Sequence, residues 1–361
     1  MREIETDKNT SVYCGELARG CKLCWPGAKM VIFITGKCDK RCWYCPISVE
    51  RGGKDQIYAN ERPVNTDSDI ITEAKEMSAR GASLTGGEPL LELDKCVHYI
   101  KLLKKEFGPA FHIHLYTWGD LATEENVKKL ADAGLDEIRF HLFGDNKDRI
   151  LPALEWRAQG RRSAGAQKLF VGVEIPAVPE MRDEIFEIVD YCAENKVDFL
   201  NLNELEFSDT NWDLLSKRGY EQVNDLSYRV KGSEEFAREI IDYCSKKNSL
   251  PVHYCSVLFK NAHQLPNRIK RRAKNLKKPF ERITKNGLLL KGTVEGGTED
   301  QYSKIAKQYG PRVFYSKEKN RIETTPALAK KIAKDNKIKA YITEEYPIWK
   351  PWDFEKTPIE K

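Results

Sequence analysis

Three cysteines fall within eight residues, Cys38-Asp-Lys-Arg-Cys42-Trp-Tyr-Cys45. They follow the apolar run Met30 to Thr35, which places three thiols on one loop at the end of an expected strand. A structural zinc site needs four ligands closing a tetrahedron, from two cysteine pairs or a pair with histidines. This loop has three close thiols and no histidine nearby. Three thiolates can instead bind three irons of a [4Fe–4S] cluster and leave the fourth open to a ligand, which means chemistry on a substrate or cofactor.

A second group of thiols precedes the first. Cys14, Cys21 and Cys24 lie in a stretch rich in Gly and Pro and poor in apolar residues, and such a stretch needs a reason to be ordered. Metal ligation supplies one. With Cys255, from the strand-like run Val252 to Phe259, as fourth ligand, the group reads as an auxiliary, fully ligated [4Fe–4S] cluster, with zinc as the alternative. Cys96 lies on the apolar face of an expected helix and reads as packed core.

The spacing of Cys38, Cys42 and Cys45, with aromatic Tyr44 before the last, resembles the radical S-adenosylmethionine (SAM) superfamily. A second superfamily motif, Gly86-Gly87-Glu88-Pro89, follows the strand-like Ala82 to Thr85. The resemblance covers roughly residues 10–275 and is nearest to archaeal-type proteins related to the pyruvate formate-lyase activating enzymes. It implies that Cys38, Cys42 and Cys45 bind the cluster and that the amino and carboxylate groups of SAM chelate the open iron. Gly86, Gly87, Glu88 and Pro89 would receive the SAM amino group, and Tyr44 would lie near the adenine. The glycines suit that place because backbone without Cβ can approach a ligand closely. The implied reaction is reductive cleavage of SAM to a 5′-deoxyadenosyl radical, which takes a hydrogen atom from substrate. The electron would come from a ferredoxin- or flavodoxin-type donor.

The elements that must hold these residues alternate. Strand patterns at Val31, Ala82 to Thr85, His112 to Trp118, Glu137 to Phe143, Leu169 to Ile175 and Asp198 to Leu202 are separated by helical or polar stretches. Alternation of this kind implies parallel strands joined by right-handed crossovers, an α/β fold. Six such steps resemble the partial (β/α)6 TIM-type barrel of radical SAM enzymes. Ligands of a parallel barrel collect at the C-terminal strand ends, which picks out Thr117, Trp118, His141, Glu174, Asn203 and Glu204. Thr117, His141 and Glu174 join the SAM-binding candidates, and no catalytic side chain is assigned. Glu174 follows the apolar Val171-Gly-Val173, where a carboxylate needs a partner. The resemblance offers the SAM ribose or methionyl group; a salt bridge inside the barrel is the other reading. For His141 the other reading is a satisfied core histidine.

Three segments are expected: 1–29 as a loop-rich metal-binding segment, 30–278 as the barrel, and 279–361 as a small α+β appendage. The closing Tyr346 to Phe354, rich in aromatics and proline, should dock extended on a surface. No apolar run approaches the ~20 residues of a membrane helix, and the charged start Met-Arg-Glu-Ile-Glu is unlike a signal peptide. A reducing cytoplasm is therefore expected, where cysteines serve as ligands. The net charge of +5 is mild, but Lys260 to Lys278 holds Arg268, Lys270, Arg271, Arg272, Lys274 and Lys277 without an acid. That run places RNA slightly ahead of protein as the macromolecular substrate. The alternatives are a glycyl-radical-enzyme activating enzyme and a non-catalytic zinc or iron–sulfur binding protein.

Overall fold

The computed structural model describes residues 4–7, 11–160, 168–247 and 250–360. The chain forms two units, Met1–Ala74 with Ala79–Gln264, and Lys75–Ser78 with Leu265–Lys361.

In the first unit the strands are β1 (Ile4–Asp7), β2 (Ser11–Cys14), β3 (Lys29–Thr35), β4 (Tyr58–Ala59), β5 (Arg62–Pro63) and β6 (Gly81–Gly86). They continue as β7 (His112–Thr117), β8 (Glu137–Phe140), β9 (Phe170–Ala177), β10 (Phe199–Glu204) and β11 (Val252–Cys255). Their order in the sheet is β1-β2-β11-β10-β9-β8-β7-β6-β3-β4-β5. From β11 to β3 every neighbouring pair is parallel. This is a partial TIM-type barrel, with β11 as a seventh parallel strand beyond the six expected.

Helices connect these strands: α1 (Arg19–Cys24), α2 (Asp67–Glu76), α3 (Leu93–Phe107), α4 (Glu124–Ala133), α5 (Leu151–Ala158), α6 (Arg182–Glu194), α7 (Trp212–Lys217), α8 (Ser233–Lys247) and the single turn α9 (Val257–Phe259). Local chemistry sets their limits. Thr123 caps α4 by accepting from the Asn126 amide, and Gly134, at φ +110°, ends it in a left-handed conformation. On α3, Cys96, Tyr99, Ile100 and Leu103 are buried, so Cys96 is core as read. Its thiol lies 3.3 Å from the Pro89 carbonyl.

Residues 1–29 were expected to be loop-rich. Instead β2 pairs antiparallel with β11, and α1 packs against β3, β6 and β7. Gly20 of α1 sits so close to β7 and β8 that a Cβ would come within 2.6 Å of the Arg139 guanidinium. Backbone pairing orders β1 and β2 before any metal is considered.

The second unit contains α10 (Leu265–Leu276), β12 (Arg282–Ile283), β13 (Leu289–Glu295), α11 (Glu299–Tyr309), β14 (Phe314–Ser316), β15 (Arg321–Thr324), α12 (Pro326–Asn336), β16 (Lys339–Tyr346) and β17 (Trp352–Pro358). Helix α10 carries much of the basic run and belongs here. An apolar core of Val294, Tyr302, Ile305, Ile322 and Ile332 lies between sheet and helices. Buried charges also hold this unit: the Lys291 ammonium meets carboxylates of Glu281, Glu323 and Glu345. The aromatic closing stretch forms the edge strand β17 on β16. No described helix is long and apolar enough to cross a membrane.

Candidate metal and cofactor site

The loop bearing Cys38, Cys42 and Cys45 leaves the end of β3 and is fastened to the turn after β6. The Gly87 amide donates to the Thr35 carbonyl and the Glu88 amide to the Lys37 carbonyl, both at 2.8 Å. Added Cβ atoms would stand 2.2 Å from the Thr35 oxygen at Gly86 and 2.3 Å from the Lys37 oxygen at Gly87. Glycine is therefore required because the chain approaches itself, a different reason from the ligand approach that the sequence suggested.

Cys38 is exposed, while Cys42 and Cys45 are half-buried. The Cys45 amide donates to the Cys42 carbonyl at 3.1 Å. Two residues of the long segment after β10 hold the loop from the other side: Asn211 donates to the Tyr44 carbonyl at 3.1 Å and Thr210 to the Cys45 carbonyl at 3.3 Å. Sequence reasoning missed both, since polar residues in an irregular insertion carry no periodic signal. Burial pushes the Cys42 thiol up to about 11, so metal binding here releases protons.

A single tetrahedral ion holds its sulfurs about 3.8 Å apart. Among the described residues, the trio of ligand atoms converging within 4.8 Å is His112, His114 and Glu137, and neither cysteine group does so. Three free thiols on one loop are the donor set that three irons of a cubane take, with the fourth iron left open.

Tyr44 is buried, and its hydroxyl lies 2.9 Å from His141 Nε2. His141 Nδ1 lies 3.2 Å from the Glu174 carbonyl, which can only accept. The proton therefore sits on Nδ1, and Nε2 accepts from Tyr44. Burial lowers the imidazole to about 4, so it is neutral. With Trp118 and Phe143 at ring-centroid distances of 5.0 and 5.1 Å, the half-buried His141 has both ring nitrogens partnered and positions Tyr44.

Glu88 is also a brace. Its Oε1 accepts from the Leu90 amide and the Thr117 hydroxyl, both at 2.9 Å, and Oε2 from the Trp118 amide at 2.7 Å. One acceptor position on Oε2 is left for a ligand. Burial raises this carboxyl despite the three donors. Pro89 starts the following turn.

Glu174 points elsewhere, into a cavity of about 400 Å³ also lined by Cys21, Cys24 and Cys255. Its Oε2 meets Arg139 at 2.5 Å and its Oε1 accepts from Asn203 at 2.9 Å. Burial raises this carboxyl, but Arg139 and Asn203 outweigh it and the net shift is downward. The salt-bridge reading describes Glu174 better than a SAM contact. Arg139 was not anticipated, although Glu137-Ile-Arg139 puts opposite charges on one strand face, a legible sign of an inward ion pair. Glu204 is likewise buried and held by Arg229 at 2.6 Å and the Val257 amide at 2.7 Å.

The expectation that Cys14 joins Cys21, Cys24 and Cys255 needs correction. Cys14 pairs with Val252 while Tyr13 pairs with His253. Tyr13 and His253 face the cavity, so strand alternation turns Cys14 to the opposite side, where it is fully buried.

Residues 32–202 match the Radical SAM superfamily, and residues 287–359 match a domain of unknown function, DUF8061. A Methanocaldococcus jannaschii protein, provisionally named a glycyl-radical enzyme activating enzyme, is 39% identical over 371 residues, covering 99% of this chain and 97% of that protein. The PqqA peptide cyclase of Bradyrhizobium diazoefficiens is 28% identical over 146 residues, 39% of this chain and 34% of its own. Among solved structures, Streptococcus suis SuiB bound to S-adenosylmethionine matches at 18% identity and a TM-score of 0.42. That match covers 68% of this chain and 53% of SuiB, so the chain spans about half of SuiB's length.

Proposed function

From the premise that the chain belongs to the radical SAM superfamily and is a radical SAM enzyme, we propose that it abstracts hydrogen from a protein substrate, as a glycyl-radical activating enzyme does. Cys38, Cys42 and Cys45 would hold the [4Fe–4S] cluster. Bound there, cluster and SAM supply reductive C–S cleavage and a hydrogen-atom abstractor.

The chain's own residues then have stated tasks. Gly86 and Gly87 let the β6 turn lie flat on the cluster loop, which fixes the thiols relative to Glu88. Glu88 offers its remaining lone pair toward the SAM ammonium and keeps Thr117 and Trp118 in place. Tyr44, His141, Trp118 and Phe143 form an aromatic wall that suits an adenine and excludes water. The observation carrying the reading is the pair of backbone bonds joining the two motifs, Gly87 to Thr35 and Glu88 to Lys37.

Protein is favoured over RNA for two reasons. The relative with the activating-enzyme name aligns along nearly the whole chain. The basic run is also largely engaged: Arg271 donates to the Met77 carbonyl, Arg272 pairs with Glu76, and Lys278 pairs with Glu323. The test uses anaerobically reconstituted enzyme with SAM and dithionite, with proteome from cells grown on [2,2-²H]glycine. Deuterium appearing in 5′-deoxyadenosine supports the proposal. Undeuterated product with that proteome, alongside deuterium uptake from labelled RNA, would overturn the choice of protein.

A further inference from the structure

The thiol-lined cavity lies beyond the SAM-binding motifs, and its elements supply ligands by simple geometry. Cys21 and Cys24 are three apart on α1, hence on one helix face. His253 and Cys255 are two apart on β11, hence on one strand face. All four line the same cavity. Their closeness can be measured through a single atom: Asn201 Oδ1 is 3.7 Å from Cys21 Sγ and 2.5 Å from His253 Nδ1.

The Asn201 contact also decides the imidazole's chemistry. A carbonyl-type oxygen accepts, so Nδ1 carries the hydrogen and Nε2 is left with a lone pair. Metal-bound histidines are commonly arranged in this way, with the distal N–H held by an acceptor. Cations stand beside the thiols: Arg139 Nη2 lies 3.6 Å from Cys21 Sγ, and Lys29 and Lys260 line the same cavity. They would offset the negative charge of thiolates in a buried place.

We infer that Cys21, Cys24, Cys255 and His253 form a closed three-cysteine, one-histidine site for a second [4Fe–4S] cluster. Cys14, on the far face of β2, takes no part. With four protein ligands this cluster has no open iron, and its function is to carry electrons.

The test is made in the Cys38→Ala/Cys42→Ala/Cys45→Ala protein, so it does not depend on SAM cleavage. Anaerobic reconstitution should give about four irons per chain. After reduction, pulsed EPR should show a nitrogen coupling that changes when histidine is ¹⁵N-labelled. His253→Ala should abolish that coupling. His253→Cys should keep about four irons without it and lower the reduction potential, since histidine in place of cysteine raises it. Cys14→Ala should retain the iron and the coupling. The inference is overturned by absence of iron, by one zinc in its place, by a spectrum indifferent to the label, or by a soluble Cys14→Ala protein that has lost the cluster.

Discussion

His141 Nδ1 donates to the backbone carbonyl of Glu174, while the Glu174 carboxylate turns away into the cysteine-lined cavity. One strand residue thus touches both candidate sites. The route runs from Tyr44 on the cluster loop through the His141 ring to β9, then along the Glu174 side chain to Arg139 and Cys21.

Replacing His141 by Leu should remove the imidazole partner of the Glu174 carbonyl and of the Tyr44 hydroxyl, which would keep only its contact with the Cys42 thiol. Two such losses in a buried place cost about 1–3 kcal/mol each. The variant should keep the iron bound by Cys38, Cys42 and Cys45, yet bind SAM less tightly because Tyr44 is no longer held. Chemical denaturation and equilibrium SAM binding read the two effects separately. Unchanged SAM affinity would show that the Tyr44 ring is not part of the binding wall.

Gly87→Ala should disrupt the cluster loop directly. Its Cβ would meet the Lys37 carbonyl at 2.3 Å and Cys38 Cβ at 2.9 Å, so the loop must move. Gly53→Ala is the comparison: φ is +72° there but nothing lies within 4 Å, so the cost is backbone strain of about 1 kcal/mol. Iron retention after reconstitution should fall strongly in the first and little in the second.

Glu88→Gln should be milder than Glu88→Ala. The amide of glutamine keeps one oxygen to accept hydrogen bonds, whereas alanine leaves the Thr117 hydroxyl and the Leu90 and Trp118 amides unpaired. Expected losses are about 1–2 kcal/mol for the amide and more than twice that for alanine. Both variants should yield less 5′-deoxyadenosine, with SAM binding lost before iron. Equal stability of the two variants would remove the bracing role.

Much of this was legible in the residues. Spacing of Cys38, Cys42 and Cys45, the Gly86–Pro89 turn and the alternating apolar runs gave the barrel, because local periodicity and tight turns are written in neighbouring residues. What failed depended on pairing between distant strands. Cys14 looked like a ligand until its partner on β11 was known, since one residue of register decides which face a strand side chain takes. His253 had two apolar-strand neighbours and gave no sign of facing a cavity. Glu174 was ambiguous for the same reason: its partner Arg139 lies on another strand.

The second unit should show an acid-dependent loss of stability centred on Glu323. Burial opposes its charge, but Lys291, Lys278 and Arg321 outweigh that and depress the carboxyl from 4.5 to about 2. A depressed carboxyl contributes fully above the unfolded value and progressively less as pH falls through the folded one. The window is therefore about pH 4.5 down to 2, worth on the order of 3 kcal/mol. Hydrogen exchange of peptides from β13 and β15 should quicken across that window in the native protein. Glu323→Gln should exchange faster at neutral pH and lose this part of the pH dependence.

The basic run provides the last prediction. Lys274 and Lys277 are exposed, whereas Arg271, Arg272 and Lys278 are tied to carbonyls or carboxylates of the chain. Binding that neutralises Z phosphates weakens with salt at a slope of about −0.9Z for duplex DNA and about −0.7Z for single strands. With Lys270, three lysines of the run lack an ion pair among the described residues, which permits only a shallow dependence. Lys274→Glu with Lys277→Glu should remove weak RNA retention at low salt while leaving deuterium transfer from glycine-labelled proteome unchanged. If the double variant instead abolishes turnover on the biological substrate, and native enzyme binds RNA with a slope steeper than about −4, the phosphate backbone is the partner and the protein reading fails.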